Sequence, residues 1–461
     1  MSRGLGARLH VGRMGSAPLE VWFLLIALVW GVLQVFLIPP FQVPDEGDHF
    51  FRAWSVSSGQ LFPDSGARIT LPGQLERAAD LYLGIVNAGD GLQPLPVTLD
   101  GQPGFAGYAD LLNRGGPAED VLIPSRVANY GPIGYLPQAV GIDVGRLLGA
   151  TPLADFYLAR LANLLACVAL IFLAIRLAPY GKAAFLLVAL LPMTMFELAS
   201  VSCDALTLAG ALLFTAMALR ATLAARLQRV HIALLVAGAA ILLNIKPGYW
   251  GLILLMALIP AAAAGGRWRK WALVGTGAAA SALVFALTYE LTVGARTGGS
   301  GTSHSQLAYL LSDPTAILGI VGTTMKDQWL VLVLESVGIL GWLTVWMLPP
   351  AYLVALLAVP AQVFRGAGQL APARSHRVGL ALTALAVFLT MAAALYAFLS
   401  PPGATMFGTQ GRYFEPVLLL ALLAITGLKA TRTSRAAGIT VALVLVLAAF
   451  NFQALVSAYG W

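Results

Sequence analysis

Charge is what this chain has least of. Only 11% of its 461 residues are Asp, Glu, Lys or Arg, while 59% are hydrophobic. Soluble domains carry about 25% charged residues, so a soluble globular enzyme is excluded. Cysteine is nearly absent as well. Cys167 and Cys203 both fall in or beside apolar runs, and give neither a disulfide framework nor a CxxC metal site. There is no Walker A loop, no dinucleotide-binding glycine pattern, no GxSxG and no inverted internal repeat. The net charge of +7 does not mark a nucleic-acid binder, because the basic residues form no single patch.

What the chain has instead is apolar runs of about 20 residues, the length that crosses a hydrocarbon core. Its mean hydropathy is +0.81. The first run, 21–38, follows Arg3, Arg8 and Arg13. It is long for a signal peptide and is followed by Pro39-Pro40 rather than a small-residue cleavage site, so it reads as an uncleaved first membrane helix. Further spans are expected near 154–178, 181–199, 203–223, 230–246, 248–265, 271–293, 338–362, 377–399, 411–428 and 436–456. The sequence thus predicts one all-α polytopic membrane domain with about 11 transmembrane helices. The stretch 131–149 is apolar but holds prolines, Asp143 and Arg146, and suits an interfacial or re-entrant helix.

Charge placement supports this arrangement. With the N-terminus inside, seventeen of the 28 lysines and arginines fall in inside segments, and Glu20 is the only acid there. That matches the positive-inside rule and predicts an inner-membrane protein with a cytoplasmic N-terminus. Two extracytoplasmic loops remain. The first, 39–150, is turn-rich and carries interfacial helices, with a short helix expected over 74–85 and a hairpin turning at Asp100-Gly101. The second, 294–337, begins with a glycine- and serine-rich stretch and then becomes apolar, as though lying along the membrane.

The first loop opens with PPFQVPDEGDHFFRAW. Asp45, Glu46, Asp48 and His49 crowd into five positions and are followed by Phe50, Phe51 and Trp54. A helix cap at Asp45 explains one or two of these acids but not the whole knot. Other polar residues interrupt apolar segments, where burying charge is costly. They are Arg160 and Asn163; Glu197, Ser202 and Asp204; Lys246; and Arg412, Tyr413 and Glu415. All four clusters fall on the same side as Asp45, which points to a common cavity. Local explanations exist for some: Arg412 has helical spacing to Glu415, and Lys246 is placed to snorkel to the interface. His304 reads as a loop histidine.

The order of PPFQVPDEGDHFFRA, NYGPIGYLPQ with FYLARLANLL, LPMTMFELASVSCDA, IKPGYW and GRYFEP resembles a bacterial family of predicted multi-pass membrane proteins catalogued as a domain of unknown function. The long first outer loop with its acidic pair resembles the GT-C superfamily of membrane glycosyltransferases. That resemblance implies transfer of a sugar from a polyprenyl-phosphate carrier to a glycan, lipid or protein acceptor. Asp45 would then be the general base, with Glu46 the next candidate. Arg412, Lys246 and Arg160 would face the anionic leaving group, with Asp204 beside them. Tyr413 and Trp54 would stack on sugar or prenyl groups. Some GT-C enzymes use a divalent metal, and Asp45, Glu46 and His49 are suitable ligands for Mg or Mn. Two alternatives remain: a glycan ligase or polymerase, and a lipid or glycan transporter (flippase). The second would show internal repeats and paired broken helices, which the sequence does not display.

Overall fold

The computed structural model describes residues 18–64, 66–86, 98–99, 102–113, 115–128, 130–294, 302–366, 370–400, 403–431 and 436–460. Helix α1 (Leu19–Leu37) is apolar apart from Glu20 and Gln34 and ends at the Pro39-Pro40 corner; α2 (Glu46–Ser57) follows across a tight turn. Strand β1 (Arg68–Pro72), α3 (Glu76–Val86), the two-residue strands β2 (Thr98–Leu99) and β3 (Gln102–Pro103), α4 (Gly104–Asn113) and β4 (Asp120–Pro124) form the rest of the first loop. Strand β4 pairs antiparallel with β1. The helix expected over 74–85 is α3. Strands β2 and β3 pair as the expected hairpin does, though Asp100 and Gly101 lie outside the described residues. The stretch 131–149 becomes a 3₁₀ turn and α5 (Leu136–Leu147). At 1.5 Å per residue α5 is about 18 Å long, too short to cross a bilayer core.

The bundle proper begins with α6 (Pro152–Leu177), where Thr151 caps the first turn by accepting from Ala154 N. Helices α7 (Lys182–Ala189), α8 (Pro192–Leu198), α9 (Cys203–Thr222) and α10 (Arg229–Ile241) come next. After a ten-residue 3₁₀ run over Tyr249–Leu258 come α11 (Ala261–Ala264), α12 (Arg267–Tyr289), α13 (Thr302–Ser312) and α14 (Ala316–Gly338). A small hairpin, β5 (Ile339–Leu340) with β6 (Val345–Trp346), leads to α15 (Pro349–Ala361). Strand β7 (Phe364–Gly366), α16 (Arg374–Leu399), α17 (Glu415–Ile425), β8 (Lys429–Thr431) and α18 (Ala436–Tyr459) complete the chain. Helix α9 is the buried axis of the bundle, and α6 packs against α1, α5 and α9.

Among the described residues seven helices are long and apolar enough to cross a membrane: α1, α6, α9, α12, α14, α16 and α18. The expected count of eleven is not reproduced as eleven continuous helices. The segment 181–199 is broken at Leu190-Leu191, ahead of Pro192, and the Thr194 hydroxyl donates across the break to Val188 O. Pro247 interrupts the stretch after α10, and 411–428 opens as a 3₁₀ turn before the 11-residue α17. Such irregular backbone is stable at membrane depth only where protein surrounds it.

The largest correction concerns 294–337, expected as a loop. It contains α14, a helix of 23 residues. Lys326, Asp327 and Glu335 interrupt its apolar pattern, which is why it reads as a surface segment. The expected span 338–362 is instead the β5–β6 hairpin and the 13-residue α15. Gly338 packs beside Pro192, so this break sits next to the one between α7 and α8. Leu340 of the hairpin packs with Ile38, Met193 and Leu455, and Trp342 Nε1 donates to Phe41 O. Helix α15 ends where Gln362 O accepts from Gly427 N, beside the parallel β7–β8 pair.

Candidate functional site

The acidic stretch is shaped by two residues in left-handed backbone, Phe41 (φ 65°) and Asp45 (φ 62°). Non-glycine residues adopt this region uncommonly, though Asp and Asn tolerate it. Phe41 is held there by the rings of Phe50, Phe51, Tyr82, Tyr108 and Phe156. Asp45 stands at the N-cap position of α2 but its carboxylate makes no capping hydrogen bond. The residues after it then fan out around α2. Gly47 is needed among them, because a Cβ there would lie 2.5 Å from the Tyr82 ring.

Glu46 points into the bundle and Arg160 donates to both of its oxygens, from Nε at 2.7 Å and Nη2 at 2.6 Å. The remaining donors of Arg160 reach Val35 O, Ile38 O and Pro39 O, and Glu46 also accepts from Val201 N. Both side chains are fully buried. They use each other up, so neither reaches an open site as the sequence leads one to expect. Trp54 is likewise buried, edge-on to Phe50, and does not line the cluster described next.

Asp45 faces the other way, toward residues from distant parts of the chain. Arg412 Nη2 lies 3.4 Å from Asp45 Oδ2, its Nη1 donates to Glu197 Oε1 at 2.7 Å, and Asp204 Oδ2 is 3.6 Å away. Lys246 Nζ donates to Asp204 Oδ1 at 2.7 Å and sits 4.2 Å above the Tyr413 ring. Three of the four clusters expected to share a cavity therefore meet around Arg412. The fourth, Arg160 and Asn163, supports it from behind: Asn163 donates to Ser200 O and Ser202 O, fixing the turn between Glu197 and Asp204. The local pairing of Arg412 with Glu415 gives way to Glu197. Lys246 does not snorkel, being 6% exposed.

Two contributors were not legible as site residues. Arg126 lies just after β4, and the β1–β4 pairing carries it over α2, 3.7 Å from both Asp45 and Asp48. Glu335 on α14 accepts from Gly411 N at 2.6 Å. It holds the 3₁₀ turn that carries Arg412, and Gly411 itself has no room for a side chain against Leu332 O.

The expected metal set does not assemble. Among the described residues no three His, Cys, Asp or Glu side chains form a metal-ligating group. Glu46 is turned to Arg160, and His49 Nδ1 is hydrogen-bonded to the Tyr135 hydroxyl at 2.8 Å. Burial pushes the His49 pKa down to about 4, so the ring is neutral at physiological pH. His304 has no described side chain.

Asp48 is buried, with the Tyr82 hydroxyl donating to its Oδ2. Burial raises its pKa to about 7, against the opposing pull of Arg126. The folded protein then holds a proton that the unfolded chain releases near pH 3.8. Stability from this group is complete below about pH 4 and is lost as pH rises through about 7. Melting measured across that window should show the decline, and Asp48→Asn should flatten it.

A narrow gap with about 10 Å³ of free space lies among Glu197, Asp204, Lys246, Tyr249, Arg412 and Tyr413. Lys246 also borders a larger, mainly apolar cleft with about 50 Å³ of free space, lined by Tyr130, Phe285, Tyr289, Met391 and Leu395. Charged and apolar spaces thus share one lysine.

This arrangement defines a polytopic membrane protein whose buried ionisable groups gather at one end of the bundle. The family described as predicted membrane protein (DUF2142) matches residues 28–421, and the chain belongs to it. No curated protein and no solved structure matches the chain.

Proposed function

We propose that the chain is a GT-C-type membrane glycosyltransferase, moving a sugar from a polyprenyl-phosphate donor to an envelope glycan, lipid or protein acceptor. The observation that carries this reading is the position of Asp45. It is the most exposed carboxylate of its cluster, at 19%, it caps no helix, and it stands within 4 Å of two guanidinium groups. A base and cations side by side suit a single displacement at the sugar's anomeric carbon. The acceptor oxygen bonds to that carbon, its proton passes to Asp45, and the carbon–phosphate oxygen bond breaks with its electron pair on the phosphate. Arg412 and the exposed Arg126 face the developing charge. The adjoining apolar cleft suits a substrate with a lipid chain, and Tyr413 offers a ring face. A metal remains outside this scheme. The assay is transfer of labelled sugar from a polyprenyl-phosphate donor by the protein in lipid vesicles. No transfer with any such donor would overturn the reading.

One feature favours a transporter (flippase). Broken helices, whose absence from the sequence counted against that class, converge on Arg412: α7 and α8, the Pro247 break, and the 3₁₀ turn before α17. A transporter would move a fluorescent lipid-linked sugar between leaflets without changing it chemically.

The reading places the N-terminus in the cytoplasm and the Asp45 cluster outside the inner membrane. A reporter fused at Gly91 should report the outside and one at Gly368 the inside. The same answer from both would remove the topology.

A further inference from the structure

At the other end of the bundle lies a second space, unconnected with the Asp45 cluster. Arg220 is sixteen residues beyond Asp204 on α9, about 24 Å along the helix. There the ends of α6 and α9 and the start of α10 leave a groove of about 1300 Å³, including its open side. Its walls are apolar, chiefly Leu177, Met217, Leu223 and Leu234. Arg220 and His231 stand in the same lining. Around it Arg176, Arg226 and Arg229 are also exposed, and among the described residues none of these arginines has an ion-pair partner. No Asp or Glu occurs between Asp204 and Glu290, so neither α10 nor the rest of α9 supplies one. His231 Nδ1 accepts from Gln228 N, which fixes the ring and leaves its other nitrogen available.

An apolar groove rimmed by unpaired cations is complementary to a molecule with a hydrocarbon chain and an anionic head. We propose that it binds one anionic glycerophospholipid, with an acyl chain along Leu177, Met217 and Leu234 and the phosphate between Arg220 and His231. Water solvates the arginines but is a poor partner for the apolar walls beside them. A membrane phospholipid satisfies both, and each basic residue near an anionic headgroup contributes about 1 kcal/mol. This site serves the protein whatever reaction occurs at Asp45.

The test uses the full chain in vesicles of phosphatidylcholine, alone or mixed with phosphatidylglycerol, then extracted in detergent and weighed intact with its retained lipid. Phosphatidylglycerol should be retained in preference to phosphatidylcholine. Arg220→Gln should reduce that preference about fivefold, the equivalent of one such contact. Arg220→Lys should keep most of it. Arg267→Gln, at the same end but outside the groove lining, should leave it unchanged. Leu234→Trp, which fills the groove from an exposed position, should displace both lipids. Equal retention of the two lipids by the wild type would overturn the proposal. So would equal losses in Arg220→Gln and Arg267→Gln, which would show a diffuse basic surface instead of a site.

Discussion

Asp45→Asn is expected to fold and bind donor as the wild type does, while sugar transfer falls about 100-fold or more. The substitution is informative because of what Asp45 does not do. Its carboxylate makes no capping hydrogen bond, so the start of α2 loses none. Its left-handed backbone is one that Asn also accepts. The variant removes a negative charge and a proton acceptor between Arg412 and Arg126 while keeping size and shape. Turnover should be measured at matched protein levels in reconstituted lipid, beside a thermal melt. Wild-type turnover in Asp45→Asn would exclude it as the base.

Arg160→Met is expected to act in the opposite way, on stability first. Removing one partner of a fully buried pair costs about 3–5 kcal/mol, because the other charge stays behind without compensation. Here Glu46 would be left with only Val201 N, and three backbone carbonyls would each lose a donor, Pro39 O keeping Gln42 N. The melting temperature of the detergent-solubilised protein should drop sharply. Adding Glu46→Gln to Arg160→Met should restore part of the loss, as coupled neighbours do. A variant with wild-type melting and impaired transfer would return Arg160 to the substrate-binding set.

How far these roles could be read from sequence depends on distance along the chain. Asp45 as an acid at the membrane boundary, and the convergence of Arg412, Lys246, Glu197 and Asp204, follow from which side of alternate apolar runs they occupy. The cost of burying charge makes such residues conspicuous. The pairing of Glu46 with Arg160 does not follow, because adjacent acids look alike in sequence. Only the left-handed turn at Asp45 sends one toward the bundle and the other toward Arg412. Arg126 was hidden among ordinary loop charges until β4 paired with β1. Helix α14 was hidden by its own polar residues, one of which, Glu335, holds Gly411 in place. The broken helices were illegible for a related reason. Apolar composition reports depth, whereas a break depends on Pro192 or Pro247 finding neighbours that accept the freed backbone.

The three carboxylates around Arg412 also govern how any anion meets it. A guanidinium has five donors, and in this structure Glu197, Asp45 and Asp204 surround it before a ligand arrives. A phosphate approaching the Nη atoms of Arg412 therefore competes with a carboxylate, whereas the buried Nε has no hydrogen-bond partner among the described residues. A sugar phosphodiester, with one negative charge, competes less well than a phosphate monoester with up to two. As the bond to the sugar breaks, charge on the phosphate grows toward that of a monoester, and the competition tips in its favour. In the proposed transfer Arg412 would then favour the departing phosphate over the bound donor.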